Sequence, residues 1–229
     1  LWFEQFYRPD QLLTGVFWLG VFGGVYLLLP VVQGLVKKTA ARGEDVVLVL
    51  ANSGIVFYYL WRMLYGEYRQ ELALAAAGLG AVHLVMLALV RLRCKHDANL
   101  QAVVGVLGSA FVTAAIPLFF TALKPALVGW GIEAVVLTFI VNRYRSIWTQ
   151  MMSVVVAGIA TAGLFYHLPL YEAGDFTPFW NAPFGTWLFV SAAILLCHVL
   201  WRFMGDRSDD EAGILTQLYY MWGVLLLAA

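Results

Sequence analysis

The sequence predicts an all-α fold, a polytopic integral membrane bundle of about eight transmembrane helices in a single domain spanning residues 1–229. Three observations predict it. Hydrophobic residues make up 62% of the chain and charged residues only 12%, with nine tryptophans, whereas soluble domains carry about 25% charged residues. The apolar residues are gathered into successive runs, most of them near the roughly 20 residues a helix needs to cross the hydrocarbon core. The lysines and arginines fall in the short connections between those runs and alternate between two sides.

Taken in order, Leu1 to Asp10 is an aromatic lead-in suited to the membrane interface, where Trp and Tyr concentrate. The first span runs from about Leu12 to Val36 and carries Gly20 and Gly24, a Gly-x-x-x-Gly pair with Gly23 beside it. That spacing reads as a close helix interface, with chance in a Gly-rich span as the alternative. A basic loop follows, then a second span from Val46 to Tyr65 containing Asn52-Ser53-Gly54, and a third from Leu72 to Val90 containing His83. The fourth span, Leu100 to Leu123, has small residues at Gly105 and Ser109 and a proline, Pro117, near its far end. A break at Leu123-Lys124-Pro125 leads into the fifth, Pro125 to Val141, with Trp130 and Glu133. The sixth, Ile147 to His167, places Gly158 and Ala162 on one face. A long loop from Pro169 to Gly185, rich in Pro, aromatics and acids, precedes the seventh span, Thr186 to Met204, with Cys197 and His198. The eighth apolar segment starts near Ile214 and runs to the end of the chain. The opening Leu-Trp-Phe-Glu and the apolar close read as a segment of a longer protein.

The basic residues orient this topology. If connections alternate sides, Lys37, Lys38, Arg42, Arg91, Arg93, Lys95, Arg143, Arg145, Arg202 and Arg207 collect on one side, and Arg8, Arg62, Arg69 and Lys124 on the other. Ten against four is a positive-inside bias, so the first loop is expected in the cytoplasm and the long aromatic loop outside. Fourteen basic residues balance fourteen acidic ones, which leaves no basic surplus for nucleic acid.

Glu133 makes the most specific chemical statement in the chain, because a carboxylate far from either end of a span is costly unless it is paired or used. Counted at 1.5 Å per residue from the cytoplasmic end, Asn52, His83, Glu133 and His198 lie at depths of roughly 9 to 14 Å. Four polar groups on four helices are thus expected to form one buried layer. Carboxylate and imidazole groups at such depth build proton or cation paths; hydrogen bonds that fix helix packing are the plainer reading. Two histidines on different spans also form the donor set of an axially ligated haem or pigment, but nothing flanking them supports one. Cys94, in a loop, and Cys197, in a span, lack metal-ligand or disulfide spacing. No Gly-x-Ser-x-Gly, phosphate-binding loop or paired metal ligand is present, so no catalytic residue, cofactor or metal is expected.

Four blocks carry a family likeness: Ala51-Asn-Ser-Gly-Ile-Val-Phe, Ala110-Phe-Val-Thr-Ala-Ala-Ile-Pro-Leu, Trp130-Gly-Ile-Glu133-Ala and Phe179-Trp-Asn-Ala-Pro-Phe. In order and spacing they resemble the bacterial predicted-membrane-protein family called domain of unknown function 2339. The resemblance covers most of the chain from span two to span seven. The family's last block continues Asn-x-Arg-Phe, where this chain has Pro183 in place of the arginine. The resemblance implies a bacterial inner-membrane, multi-pass protein and brings no reaction. The expected role is a non-enzymatic scaffold or assembly subunit that meets the lipid bilayer and other membrane subunits. A proton- or cation-coupled transporter using Glu133 is the alternative, its substrate not readable from the sequence.

Overall fold

An apolar chain in hydrocarbon satisfies its backbone groups internally only as a helix or a closed barrel, and these runs fold as helices. The computed structural model describes residues 8–37, 41–93, 97–144, 147–166, 181–204 and 210–228. Eight α-helices follow a short turn at Pro9–Gln11: α1 Leu12–Lys37, α2 Gly43–Leu64, α3 Arg69–Arg93, α4 Ala98–Phe119, α5 Leu123–Tyr144, α6 Ile147–Tyr166, α7 Ala182–Met204 and α8 Asp210–Ala228. The first seven are long and apolar enough to cross a membrane; in α8 the apolar stretch Gly213–Ala228 is shorter. Large apolar side chains such as Phe17, Leu74 and Met221 point outward from them, the surface of helices bathed in lipid. The chain is an all-α polytopic membrane protein.

Local chemistry sets several helix ends. Asn181 caps α7, its Oδ1 accepting the Phe184 N–H at 2.7 Å, which satisfies one of the donors left free in a first helical turn. Pro183 sits in that same turn, where its missing N–H removes nothing. At α2 the Asp45 carboxylate reaches back to the Arg42 N–H at 2.8 Å, one half of a capping box. The break expected at Leu123-Lys124-Pro125 falls earlier: α4 ends at Phe119, and Pro125 lies inside the first turn of α5. A proline within the first turn fits a helix start rather than breaking one.

The described contacts divide the chain into two compact units, Leu1–Phe119 and Phe120–Ala229. In the first, α1 packs on α2 and α3 runs along α4. The α3–α4 crossing is set by Gly80 and Gly108: a Cβ on Gly80 would lie 3.1 Å from the Gly108 carbonyl oxygen, and one on Gly108 would lie 2.9 Å from a Leu84 methyl. Two apolar clusters occupy this unit. Leu27, Val31, Val49, Met86, Leu87, Val90, Leu100 and Val104 form one, and Val56, Leu60, Leu64, Leu72, Ala73, Ala76, Ala115 and Leu118 the other. Between them in the chain lie buried polar and small residues, Ser53 on α2, Gly80 and His83 on α3, and Gly108 and Ser109 on α4, together with the large ring of Phe111. In the second unit α5 packs against α6 and α7, and α7 against α8. Leu127 lies over Gly163 and Leu195 over Gly223.

Candidate functional site

In the first unit one pair of buried polar groups sits between the two apolar clusters. Ser53 and His83 are almost wholly removed from solvent, at 2% and 0% exposure. Ser53 Oγ lies 2.9 Å from His83 Nε2, and His83 Nδ1 lies 2.7 Å from the Leu79 carbonyl oxygen. A carbonyl only accepts, so Nδ1 carries a proton; in the neutral ring Nε2 is then the acceptor and the Ser53 hydroxyl donates to it. Phe111 packs against the imidazole with ring centroids 5.3 Å apart. Asn52, one residue before Ser53, turns to a different helix and donates its amide to the Gly23 carbonyl at 2.9 Å.

Two further polar contacts fasten the ends of this unit. The Asp97 carboxylate, 3% exposed, accepts the Leu100 N–H at 3.0 Å as the cap of α4 and the Ala41 N–H at 2.7 Å from the connection before α2. At the opposite end Arg69, the first residue of α3, donates through Nη2 to the Pro117 carbonyl at 2.7 Å. A cation there suits the negative end of the α4 dipole.

The second unit holds a chain of hydroxyls from three helices. Thr138, Ser153 and Tyr219 are all buried, none more than 1% exposed. Thr138 donates to the Ala134 carbonyl at 2.8 Å, Thr138 and Ser153 lie 2.7 Å apart, and Ser153 and Tyr219 2.9 Å apart. Each hydroxyl has one proton to give. The three contacts are filled when Tyr219 donates to Ser153, Ser153 to Thr138 and Thr138 to the carbonyl. Cys197, a buried free thiol on α7, lies beside Thr138 and Tyr219. His198, half-buried, donates from Nδ1 to the Thr216 carbonyl on α8 at 2.8 Å, and its ring packs on Tyr220. Trp187 donates its indole N–H to the Leu226 carbonyl, a second tie between α7 and α8. Glu133 is buried on α5 at 8% exposure.

Of the four residues expected to share a layer, Asn52 and His83 belong to one unit and Glu133 and His198 to the other. Within the first unit His83 pairs with Ser53, while Asn52 binds the Gly23 carbonyl. Among the expected packing residues, Ser109 is buried and its carbonyl accepts the Thr113 hydroxyl at 2.9 Å. A Cβ at Gly105 would make ordinary contact with Leu87, and one at Gly158 with Trp222. Gly20 and Gly24 have no heavy atom within 4 Å of an added Cβ, and Ala162 is exposed. The close approach on α1 belongs instead to Gly23, where a Cβ would lie 2.6 Å from a Val56 methyl. Gly23 is a turn of about 100° from Gly24 on the helix, so the face of Gly20 and Gly24 is a different one.

Cys94 and most of the long aromatic loop, with Phe176, Phe179 and Trp180, lie outside the described residues. Ser53, Asp97, Arg69 and the Thr138–Ser153–Tyr219 chain were not singled out from the sequence. Only Asp97 had a readable signal, an acid directly before an apolar helical run. Among the described residues no group of three or more His, Cys, Asp or Glu side chains could hold a metal ion. No family model, no curated protein and no solved structure matches the chain.

Proposed function

We propose that this membrane protein is a non-enzymatic subunit of the bacterial inner membrane, related to the domain of unknown function 2339 family, that serves as a scaffold or assembly partner for other membrane proteins. The observation that carries this reading is where the intramembrane polar groups go: Asn52, Ser53, His83, Thr138, Ser153, Tyr219 and His198 bind neighbouring helices of their own unit. Hydrogen bonds of this kind fix helix packing, at about 0.6 kcal/mol each on average in a membrane. Large outward apolar faces remain for lipid and for partner helices; on α1 most of the apolar side chains are exposed, Phe17, Phe22 and Val25 among them. The first loop faces the cytoplasm in this reading, on the strength of the Lys and Arg distribution. Native purification followed by in-membrane crosslinking tests it, with a membrane protein recovered in fixed ratio as the expected result. Recovery of the chain alone at all detergent concentrations overturns it.

A buried mid-span carboxylate, Glu133, favours a second reading, a proton- or cation-coupled transporter. Reconstituted vesicles that acidify or take up cation with the native protein, and fail to do so with Glu133→Gln, would establish the transporter and displace the scaffold.

A further inference from the structure

We propose that the Asp97–Ala41 join holds two arginines, Arg42 and Arg93, as a binding site for the headgroup phosphate of an anionic phospholipid.

The geometry starts from Asp97. Its two carboxylate oxygens accept the Leu100 and Ala41 N–H groups, so the connection before α2 and the one before α4 are fastened to each other. Arg42 follows Ala41 directly and Arg93 precedes Asp97 by four residues. At no more than about 3.6 Å per residue, both arginines stay within roughly 15 Å of the join. Both are exposed.

The basic residues around the join outnumber the acids. Asp97 is occupied by backbone donors, and Asp45 accepts the Arg42 backbone N–H rather than any guanidinium contact described. Glu44, exposed in the first turn of α2, is the third acid of these two connections, and all three carboxylates count as negative charges. Against these three acids the same stretches carry six basic residues, Lys37, Lys38, Arg42, Arg91, Arg93 and Lys95.

Position along the helices selects a lipid rather than a soluble anion. Leu92, adjoining Arg93, is 70% exposed, and Val47, just over one turn beyond Arg42, is 62% exposed. Arg42 and Arg93 thus stand beside outward apolar side chains, a setting that suits a ligand carrying both a phosphate and acyl chains. Arginine matches phosphate oxygens in pairs, and basic clusters at the ends of membrane helices attract anionic lipids.

The experiment uses the whole protein in neutral detergent, with phosphatidylglycerol or phosphatidylcholine added, read by lipid retention in native mass spectrometry and by the thermal unfolding midpoint. The native protein is expected to retain phosphatidylglycerol and to unfold at a higher temperature with it. In R42Q/R93Q the apparent affinity is expected to fall about thirtyfold, near fivefold for each arginine, while the midpoint in phosphatidylcholine stays unchanged. Lys124→Gln, at the start of α5, is expected to keep the preference. Equal retention of both lipids by the native protein, full retention by R42Q/R93Q, or the same stabilisation by inorganic phosphate alone would overturn the proposal. If R42Q/R93Q fails to fold, Arg93→Gln takes its place, with a fivefold loss expected and an unchanged affinity overturning it.

Discussion

Ser53 Oγ and His83 Nε2 lie 2.9 Å apart between two apolar clusters, and the other imidazole nitrogen is held by the carbonyl one turn back on α3. With both ring nitrogens engaged, His83 acts as a rigid spacer between α2 and α3, its protons assigned by its partners.

That contact is measurable by a double-mutant cycle. Ser53→Ala is expected to lower stability by about 1 kcal/mol and His83→Ala by about 2–4 kcal/mol, the larger loss coming from the void left against Phe111. The coupling read from reversible unfolding in mixed micelles should be about 0.6 kcal/mol. A coupling of zero would mean that the hydrogen bond contributes nothing beyond packing.

Removing the Asp97 carboxylate strips a cap from α4 and leaves the Ala41 N–H without its acceptor. Asp97→Ala should destabilise the first unit by about 1–3 kcal/mol. Amide exchange at Ala41 and Leu100 should accelerate together, because one side chain serves both. Acceleration at only one of them would show that the two ends are held independently.

The glycines separate into two classes on steric grounds. Gly80→Ala and Gly108→Ala press a methyl group into the facing helix and should each cost about 1–3 kcal/mol. Gly20→Ala and Gly24→Ala meet open space and should be neutral or stabilising by up to about 1 kcal/mol. Thermal midpoints of the four variants, measured in the same detergent, test the ordering; a loss at Gly20 or Gly24 in native membranes alone would point to a partner helix seated there.

Cys197 should resist a membrane-permeant maleimide in the folded protein, since the thiol is wholly buried beside Thr138 and Tyr219. Tyr219→Phe removes the donor at the head of the hydroxyl chain and should lower stability by about 0.5–1.5 kcal/mol. The same change should raise the labelling rate of Cys197, as opening of α8 becomes easier. Rapid labelling of the native protein would place the thiol in a more open setting than the one described.

What the sequence told and what it withheld divide along a physical line. Run length and the position of each polar residue along its run are readable, which is why the helices, and His83 and Glu133 within them, were legible. Rotation about the helix axis is not readable when a span is apolar on every side, because lipid and protein interior select the same residues. Asn52 and Ser53 differ by one residue and so point to different helices; Gly23 and Gly24 repeat the lesson on α1. The hydroxyl chain was illegible for a second reason: Thr138, Ser153 and Tyr219 are up to 66 residues apart in contact, and Ser and Thr are common in membrane helices whether or not they meet.

The bond from Arg69 to the Pro117 carbonyl also sets an order of events during synthesis. Its partners are 48 residues apart, so the guanidinium is made several seconds before its acceptor, at roughly 5–20 residues per second. Over that interval Arg69 lacks its Pro117 acceptor, and a charged guanidinium at the start of a span favours water at the bilayer edge over hydrocarbon. The arginine becomes a fastening between α3 and α4 only once both have been made.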